Sequence, residues 1–292
     1  MIRTAKQVRN VLWIALSLNL LVSGLKLFYG FSTSTLSMIA DGFHSIADAG
    51  SSVLGLVAVH FASKPSDDDH HYGHFKFETV AAMGIAVFIA ITSWEILQQG
   101  VHRLRSGDPA HFHFYGIPIM LVGMAINLAL SRYERKKAIE YKSALLEADS
   151  YHTASDVWVS FSVIFSMVCI HYGVHWADPI VSILISIYFA IVSWKVLKDT
   201  VMALSDAAYI DTDRVKKIIN EVPGVIGHHH VRTRGKPGQA FLDLHIQVDP
   251  KTDTYTSHRL AHEIESRIKK EITGIHDVLI HTEPYPDPDD EG

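Results

Sequence analysis

The sequence predicts an α-helical membrane domain of six transmembrane helices, followed by a small C-terminal α/β domain. The mean hydropathy of the 292 residues is +0.15, which is high for a soluble protein. Charged residues are almost absent from five stretches but occur throughout residues 206–284. The nearly uncharged stretches are residues 11–31, 81–97, 112–130, 157–170 and 177–194. This uneven distribution indicates a membrane domain that precedes a soluble one.

Six segments are long and apolar enough to cross a bilayer, which requires about 20 mainly apolar residues. They are approximately residues 11–31, 35–62, 79–100, 112–131, 144–170 and 179–204. The second and fifth segments contain His and Asp pairs, as expected of helices that face a protein interior or an aqueous cavity. The basic N-terminus resembles a signal peptide, but it lacks a small-residue cleavage site, so we expect a retained first helix.

The distribution of Lys and Arg in the connecting segments predicts the orientation of the helices. Basic residues precede the first segment, follow the second and fourth, and mark the end of the sixth. The opposite side has only Arg103 and Arg105. We therefore expect cytoplasmic N- and C-termini in a multi-pass protein of the inner cell membrane. The expected domains are a membrane domain (1–205), a cytoplasmic α/β domain (206–284) and a disordered acidic tail (285–292).

The cytoplasmic domain should contain a helix, two strands, a second helix and a third strand. The expected elements are residues 211–222, 225–233, 240–248, 256–272 and 277–281. Apolar and polar residues alternate in the second strand, whereas Leu260, Ile264 and Ile268 follow the spacing of a helix. This order of elements fits a small split βαβ module of the ferredoxin-like type.

Two copies of the pattern His-x-x-x-Asp lie inside apolar segments, at His44 to Asp48 and at His152 to Asp156. A spacing of four places both side chains of a pair on one face of a helix. Ionisable residues within a membrane span are costly and usually functional. Two imidazoles and two carboxylates form a ligand set that suits a tetrahedral divalent cation. A third copy starts at His245 in a soluble segment, so the membrane setting, rather than the pattern alone, predicts a metal site.

The segment between the second and third helices is dense in acids and imidazoles. Asp67, His70 and His74 are the simplest ligand set for a second, more exposed metal site. The alternative is a solvated acidic loop whose histidines have no common role.

Histidines also occur on each predicted strand of the cytoplasmic domain. His229, His245 and His281 could converge because adjacent strands lie about 5 Å apart. Glu283 could bridge two metal ions in such a site. The alternative is that these histidines, like the run that starts at His228, are solvated surface residues.

Composition excludes several other classes of protein. The net charge of −5 gives no indication of nucleic-acid binding. A single cysteine, Cys169, provides neither a disulfide framework nor a thiolate metal site. No His-Glu-x-x-His pattern is present, which argues against a membrane metallohydrolase, although Glu95 or Asp149 could serve as a general base.

Five stretches together resemble the cation diffusion facilitator family of divalent metal/proton antiporters. They are LSMIADGFHSIADAGSS, SKPSDDDHHYGHFKFE, EADSYHTASDVWVS, PGVIGHHHVRTR and VLIHTEP. The resemblance extends over nearly the whole chain and implies six spans followed by a metallochaperone-like cytoplasmic domain. It also implies a homodimer with a charge interlock near the membrane surface, where this chain has Lys76 and Asp206.

The resemblance implies three metal sites. The implied transport site comprises His44, Asp48, His152 and Asp156, and the implied loop site comprises Asp67, His70 and His74. The implied binuclear site of the cytoplasmic domain comprises His229, His245, His258, His281 and Glu283. Some relatives have Asp at the position of His44, a difference that affects metal choice, and some have Asp at the position of Glu283.

The expected function is secondary active efflux of a divalent cation, with Zn²⁺ favoured by the ligand set, in exchange for protons. Neutral imidazole binds metal and imidazolium does not, so protons and metal should compete at the transport site. The cation would also be a regulatory ligand, and no organic cofactor is expected. Fe²⁺, Co²⁺, Ni²⁺, Cd²⁺ and Mn²⁺ remain alternative substrates. A passive channel and a sensor without transport also remain open, and Asp41 and Asp149 could line a pathway or support the ligands.

Overall fold

The computed structural model describes residues 2–32, 36–106, 117–171, 174, 177–236 and 238–286. The expected start of the fourth span at Phe112 lies outside these ranges, as does the expected disordered tail from residue 287 onward. The chain divides into two compact units, residues 1–201 and 202–292.

Long α-helices form most of the described chain up to residue 204. They are α1 (Ile2–Ser32), α2 (Leu36–Ala62), α3 (Lys76–Ser106), α4 (Ile117–Tyr141), α5 (Ala144–His171) and α6 (Ala177–Leu204). By length and hydropathy, three described segments could cross a membrane: Ala5–Tyr29, Lys76–Ser106 and Pro179–Leu204. Several side chains of α2 and α5 are outside the described part of the structure, so the number of spans stays a prediction.

The fourth helix extends well beyond the expected span, from Ser131 to Tyr141. The thickness of the bilayer sets the length of the apolar segment, but it does not set the length of the helix. Arg135, Lys136 and Lys137 are good helix formers, so the helix continues where the apolar segment ends.

The helices of the first unit pack around one apolar core. Its fully buried members include Leu12 of α1, Ile85 and Ile89 of α3, Leu146 of α5 and Phe189 of α6. Many large apolar side chains face outward instead, as a lipid-facing surface requires. They include Phe28, Phe88, Trp94, Ile191 and Trp194.

The second unit has the expected order of elements. These are α7 (Thr212–Asn220), β1 (Gly227–Lys236), β2 (Gln239–Val248), α8 (Thr254–Glu271) and β3 (Ile275–Pro284). β1 and β2 form an antiparallel hairpin, β2 and β3 pair in parallel through α8, and the strand order is β1-β2-β3. Asp211 and Asp253 cap the two helices. The predicted combination of a helical membrane domain and a small α/β domain is thus confirmed.

The sheet of the second unit buries one row of β2 side chains against its helices. Leu242, Leu244 and Ile246 are almost inaccessible and share a core with Ile219 of α7 and Ile264 of α8. Because successive strand residues point to opposite faces, His245 lies on the face opposite Leu244 and Ile246. Packing of the buried side of the sheet against the helices therefore determines that His245 lies on the other side.

Candidate metal centres

α2 and α5 bring together three of the four expected transport-site residues. Asp48, His152 and Asp156 each offer a donor atom, and these atoms lie within 4.8 Å of one another. His152 Nε2 lies 3.8 Å from Asp48 Oδ1. His44 lies one turn before Asp48 on α2, but its side chain is outside the described part of the structure.

His152 is the most unusual member of this cluster. Its side chain is only 4% exposed, and neither ring nitrogen has a hydrogen-bond partner among the described residues. Buried polar atoms in proteins are nearly always satisfied, and each exception requires an explanation. A nitrogen held beside two carboxylates, with its lone pair uncommitted, is suited to ligating a cation.

Small polar residues allow α2 and α5 to approach closely at this level. Ser51 and Ser52 of α2 are buried, as is Ser155 of α5. The Ser51 hydroxyl donates to Asp149 Oδ1 at 2.9 Å, which links the two helices next to the cluster. Asp149 therefore lies beside the candidate ligands, and the side chain of Asp41 is outside the described part.

The loop before α3 holds the second expected set, and the structure brings all three residues together. Asp67 Oδ1 lies 3.4 Å from His70 Nδ1, and Asp67 Oδ2 lies 3.3 Å from His74 Nε2. The two imidazole rings are 4.2 Å apart between centroids. His74 Nδ1 lies 3.1 Å from the Pro65 carbonyl, so the neutral ring donates there and keeps Nε2 available as a ligand.

Asp67 is held in its ionised form. Desolvation opposes ionisation, but the hydrogen bond from the His70 N–H and the nearby His74 imidazole together lower the pKa of Asp67. An ionised carboxylate between two imidazoles is the protonation state that cation binding requires.

The third cluster lies on the exposed face of the sheet in the second unit. His229 pairs with His245 across β1 and β2, and His245 pairs with His281 across β2 and β3. Glu283 accepts from His229 Nε2 and from His245 Nδ1, each at 2.6 Å. His281 Nε2 lies 3.5 Å from Glu283, and its side chain is more exposed.

Hydrogen bonding also favours the ionised form of Glu283. Desolvation opposes ionisation, but the bonds from His229 and His245 outweigh it and lower the pKa of Glu283. His258, the fifth residue that the resemblance implied, lies on α8 beside His262, with their ring centroids 4.5 Å apart. It is outside the three-residue cluster found among the described residues.

Sequence reasoning missed one buried acid near the first cluster. Glu134 of α4 is fully buried and accepts from Thr153 of α5. It lies in the segment SRYERKKAIEY, whose charges suggest a solvated surface. Its position on the α5-facing side of α4 becomes apparent only once the two helices are packed.

Long apolar helices with nitrogen and oxygen donors between α2 and α5, followed by an α/β unit with its own donor cluster, fit the class of metal-cation transporters. The family model of the cation efflux transmembrane domain matches residues 12–205. The model of the cation efflux protein cytoplasmic domain matches residues 208–285. The chain belongs to the cation diffusion facilitator family, and it is a multi-pass cation efflux transporter, not an enzyme.

Two cation-efflux pumps agree with this assignment. The chain is 30% identical over 263 residues to the cation-efflux pump FieF of Shewanella oneidensis, covering 89% of this chain and 88% of the relative. It is 30% identical over 276 residues to FieF of Yersinia enterocolitica, covering 92% and 91% of the two chains. The metal-bound C-terminal domain of the CzcD transporter from Thermotoga maritima is 30% identical, with a TM-score of 0.26. That match covers 26% of this chain and 90% of the domain.

Proposed function

We propose that this protein exports Zn²⁺ from the cytoplasm in exchange for protons. The metal would bind between α2 and α5 and would be released on the other side of the membrane by alternating access. The four proposed ligands are His44, Asp48, His152 and Asp156.

One observation supports this proposal most strongly. The buried His152 imidazole has no hydrogen-bond partner among the described residues and lies beside Asp48 and Asp156. Two carboxylates at such a position need a compensating positive charge. A divalent cation supplies that charge and uses the lone pair of the imidazole. With His44 as a second nitrogen ligand, the set suits the tetrahedral preference of Zn²⁺.

Exchange with protons follows from the chemistry of the same ligands. An unperturbed imidazole titrates near pH 6.5, and only its neutral form binds metal. A site open to an acidic exterior would therefore take up protons and lose its cation. Rocking of the helices would return the protons to the cytoplasm.

The choice of metal depends on the donors. Two imidazoles favour Zn²⁺ and related cations over Mn²⁺, which prefers oxygen ligands. Fe²⁺, Co²⁺, Ni²⁺ and Cd²⁺ accept similar donors and are the alternative substrates.

The donor cluster on the sheet of the second unit fits a regulatory role. The His229, His245 and Glu283 cluster would bind cytoplasmic metal and stabilise a homodimer, with Lys76 and Asp206 as the charge interlock. A ligand can shift the conformational equilibrium only by preferring one state, so this cluster would act as a sensor. The orientation follows from the Lys and Arg distribution, with both termini cytoplasmic and the protein in the inner membrane.

Uptake by proteoliposomes tests the proposal. Purified protein is reconstituted, and uptake of Zn²⁺, Fe²⁺, Co²⁺, Ni²⁺, Cd²⁺ and Mn²⁺ is measured with and without an imposed pH difference. We expect Zn²⁺ flux that rises with the proton gradient and an opposite proton flux that requires Zn²⁺. Zn²⁺ flux that ignores the pH difference would indicate a passive channel instead.

A further inference from the structure

Two acidic side chains that the proposed ligand set does not use are buried together between α4 and α5. Glu134 is 0% exposed and Asp149 is 1% exposed. The Thr153 hydroxyl lies 3.0 Å from Glu134 Oε2 and 3.1 Å from the Asp149 carbonyl oxygen, so the two acids are neighbours, and each carboxyl acts on the other. Two carboxylates in such contact repel each other unless one of them is protonated.

The hydrogen bonds around the pair leave one oxygen on each carboxyl unsatisfied. Thr153 donates to Glu134 Oε2 at 3.0 Å, and Ser51 donates to Asp149 Oδ1 at 2.9 Å. Glu134 Oε1 and Asp149 Oδ2 are buried and have no partner among the described residues. A single proton shared between these two oxygens would satisfy both, and it would leave one negative charge on the pair instead of two.

The titratable groups that act on the pair belong to the proposed transport site. His152 acts electrostatically on Asp149, and Asp156 acts on Glu134. Ser51 of α2 connects the pair to the same site, because its hydroxyl also lies 3.0 Å from the Asp48 carbonyl oxygen. The basic neighbour on α4, Arg135, is over the Tyr151 ring.

α1 packs against α4, and α3 packs against α5. The charge state of the pair depends on His152 and Asp156, which act on it electrostatically, and on any cation that binds next to them.

We propose that Glu134 and Asp149 hold one proton between them in the metal-free protein and release it to solvent when a divalent cation binds to Asp48, His152 and Asp156. A nearby dication stabilises ionised carboxyls, so binding of the metal and release of the proton are linked. The inference rests on the proposed transport site, and it adds to that site a proton-carrying group that never ligates the metal.

Isothermal titration calorimetry measures the linked proton directly. The parent carries Asp67→Ala and Glu283→Ala, which remove the other two clusters, and ZnCl₂ is titrated in two buffers with different ionisation enthalpies. Glu134→Gln replaces the shared proton with an amide N–H that can donate to Asp149. We expect this variant, and likewise Asp149→Asn, to release about one proton fewer per bound Zn²⁺ than the parent.

Glu140→Gln is the matched control, because Glu140 is an exposed glutamate on α4 that pairs with Lys137. It should release as many protons as the parent. Equal proton release from Glu134→Gln and the parent would overturn the inference while leaving the transport site intact. Zn²⁺ binding that survives Asp48→Asn would instead overturn the transport site, and the inference with it.

Infrared spectroscopy of the parent provides a test that needs no further substitution. The metal-free protein should show the carbonyl band of a protonated carboxylic acid, shifted in D₂O, and Zn²⁺ should remove it. If the metal-free protein has no such band, the pair is not protonated and the inference is wrong, even if the Gln and Asn variants fail to fold.

Discussion

The donor cluster between α2 and α5 differs from the cluster on the sheet in how its atoms are satisfied without metal. Both nitrogens of His152 lack hydrogen-bond partners among the described residues. On the sheet, His229 and His245 both donate to Glu283 at 2.6 Å. A cation must displace these hydrogen bonds on the sheet, whereas His152 has none to lose. A cation at the sheet cluster would therefore compete with internal hydrogen bonds, which His152 in the membrane cluster does not make with any described residue.

The largest expected effect is the loss of transport when a membrane donor is removed. Asp156→Asn should reduce Zn²⁺ flux in proteoliposomes to the level of empty vesicles, because a neutral amide neither balances the cation nor binds it well. Asp199→Asn, at an exposed position on α6, is the matched control and should transport normally. Normal flux in Asp156→Asn would remove this residue from the transport site.

The sheet cluster should depend on the core beneath it. Leu244→Ala should destabilise the second unit by about 2–5 kcal/mol, because a fully buried leucine leaves a cavity. Thermal unfolding of the whole protein should show an earlier transition, with weaker metal binding at His245. Leu279→Ala, at a side chain that is 66% exposed on β3, should change little. An equal loss in both variants would contradict this packing.

The selectivity of the membrane cluster should depend on its second nitrogen. His44→Asp should reduce the preference for Zn²⁺ over Mn²⁺ in competitive uptake, because it exchanges an imidazole for an oxygen donor. His60→Asp, at an exposed position near the end of α2, provides the control. An unchanged competition profile in His44→Asp would count against a ligand role for His44.

The smallest expected effect concerns the sheet cluster in acid. The pKa of Glu283 lies below its ordinary value of 4.5, since the bonds from His229 and His245 outweigh desolvation. A lowered pKa in the folded state gives stability that is present above pH 4.5 and is lost as the pH falls through the folded-state value. Unfolding measured across this range should therefore be less pH-dependent in Glu283→Gln than in the parent.

Glu221→Gln is the control for this pH dependence, because Glu221 is an exposed carboxylate at the end of α7. It should follow the parent. If Glu283→Gln and the parent had identical pH profiles, the hydrogen bonds on the sheet would contribute nothing to stability, and the contrast with the membrane cluster would disappear.

Residue spacing predicted those parts of the structure that depend on one helix or one strand at a time. The i, i+4 spacing placed His152 and Asp156 on one face of α5, and the structure brings them to Asp48, although their role as ligands stays a prediction. The order of elements in the second unit was also predictable, because alternating apolar residues indicate a half-buried strand and apolar residues at helical spacing indicate a helix.

Features that depend on packing between elements were not predictable from the sequence. Glu134 lies among charged residues and is buried only because α5 covers that side of α4. His258 was expected with the other sheet histidines but lies beside His262 on α8. A bulge between His229 and Arg232 changes the register of β1, and no local pattern indicates it.

One dication should bind between α2 and α5 through two nitrogen and two oxygen donors. X-ray absorption at the zinc edge can detect these ligands on Zn²⁺-loaded protein that carries Asp67→Ala and Glu283→Ala. We expect four light-atom ligands at about 2.0–2.2 Å, with the scattering signature of two imidazoles. A shell without imidazole, or a six-coordinate shell of oxygens alone, would contradict the account.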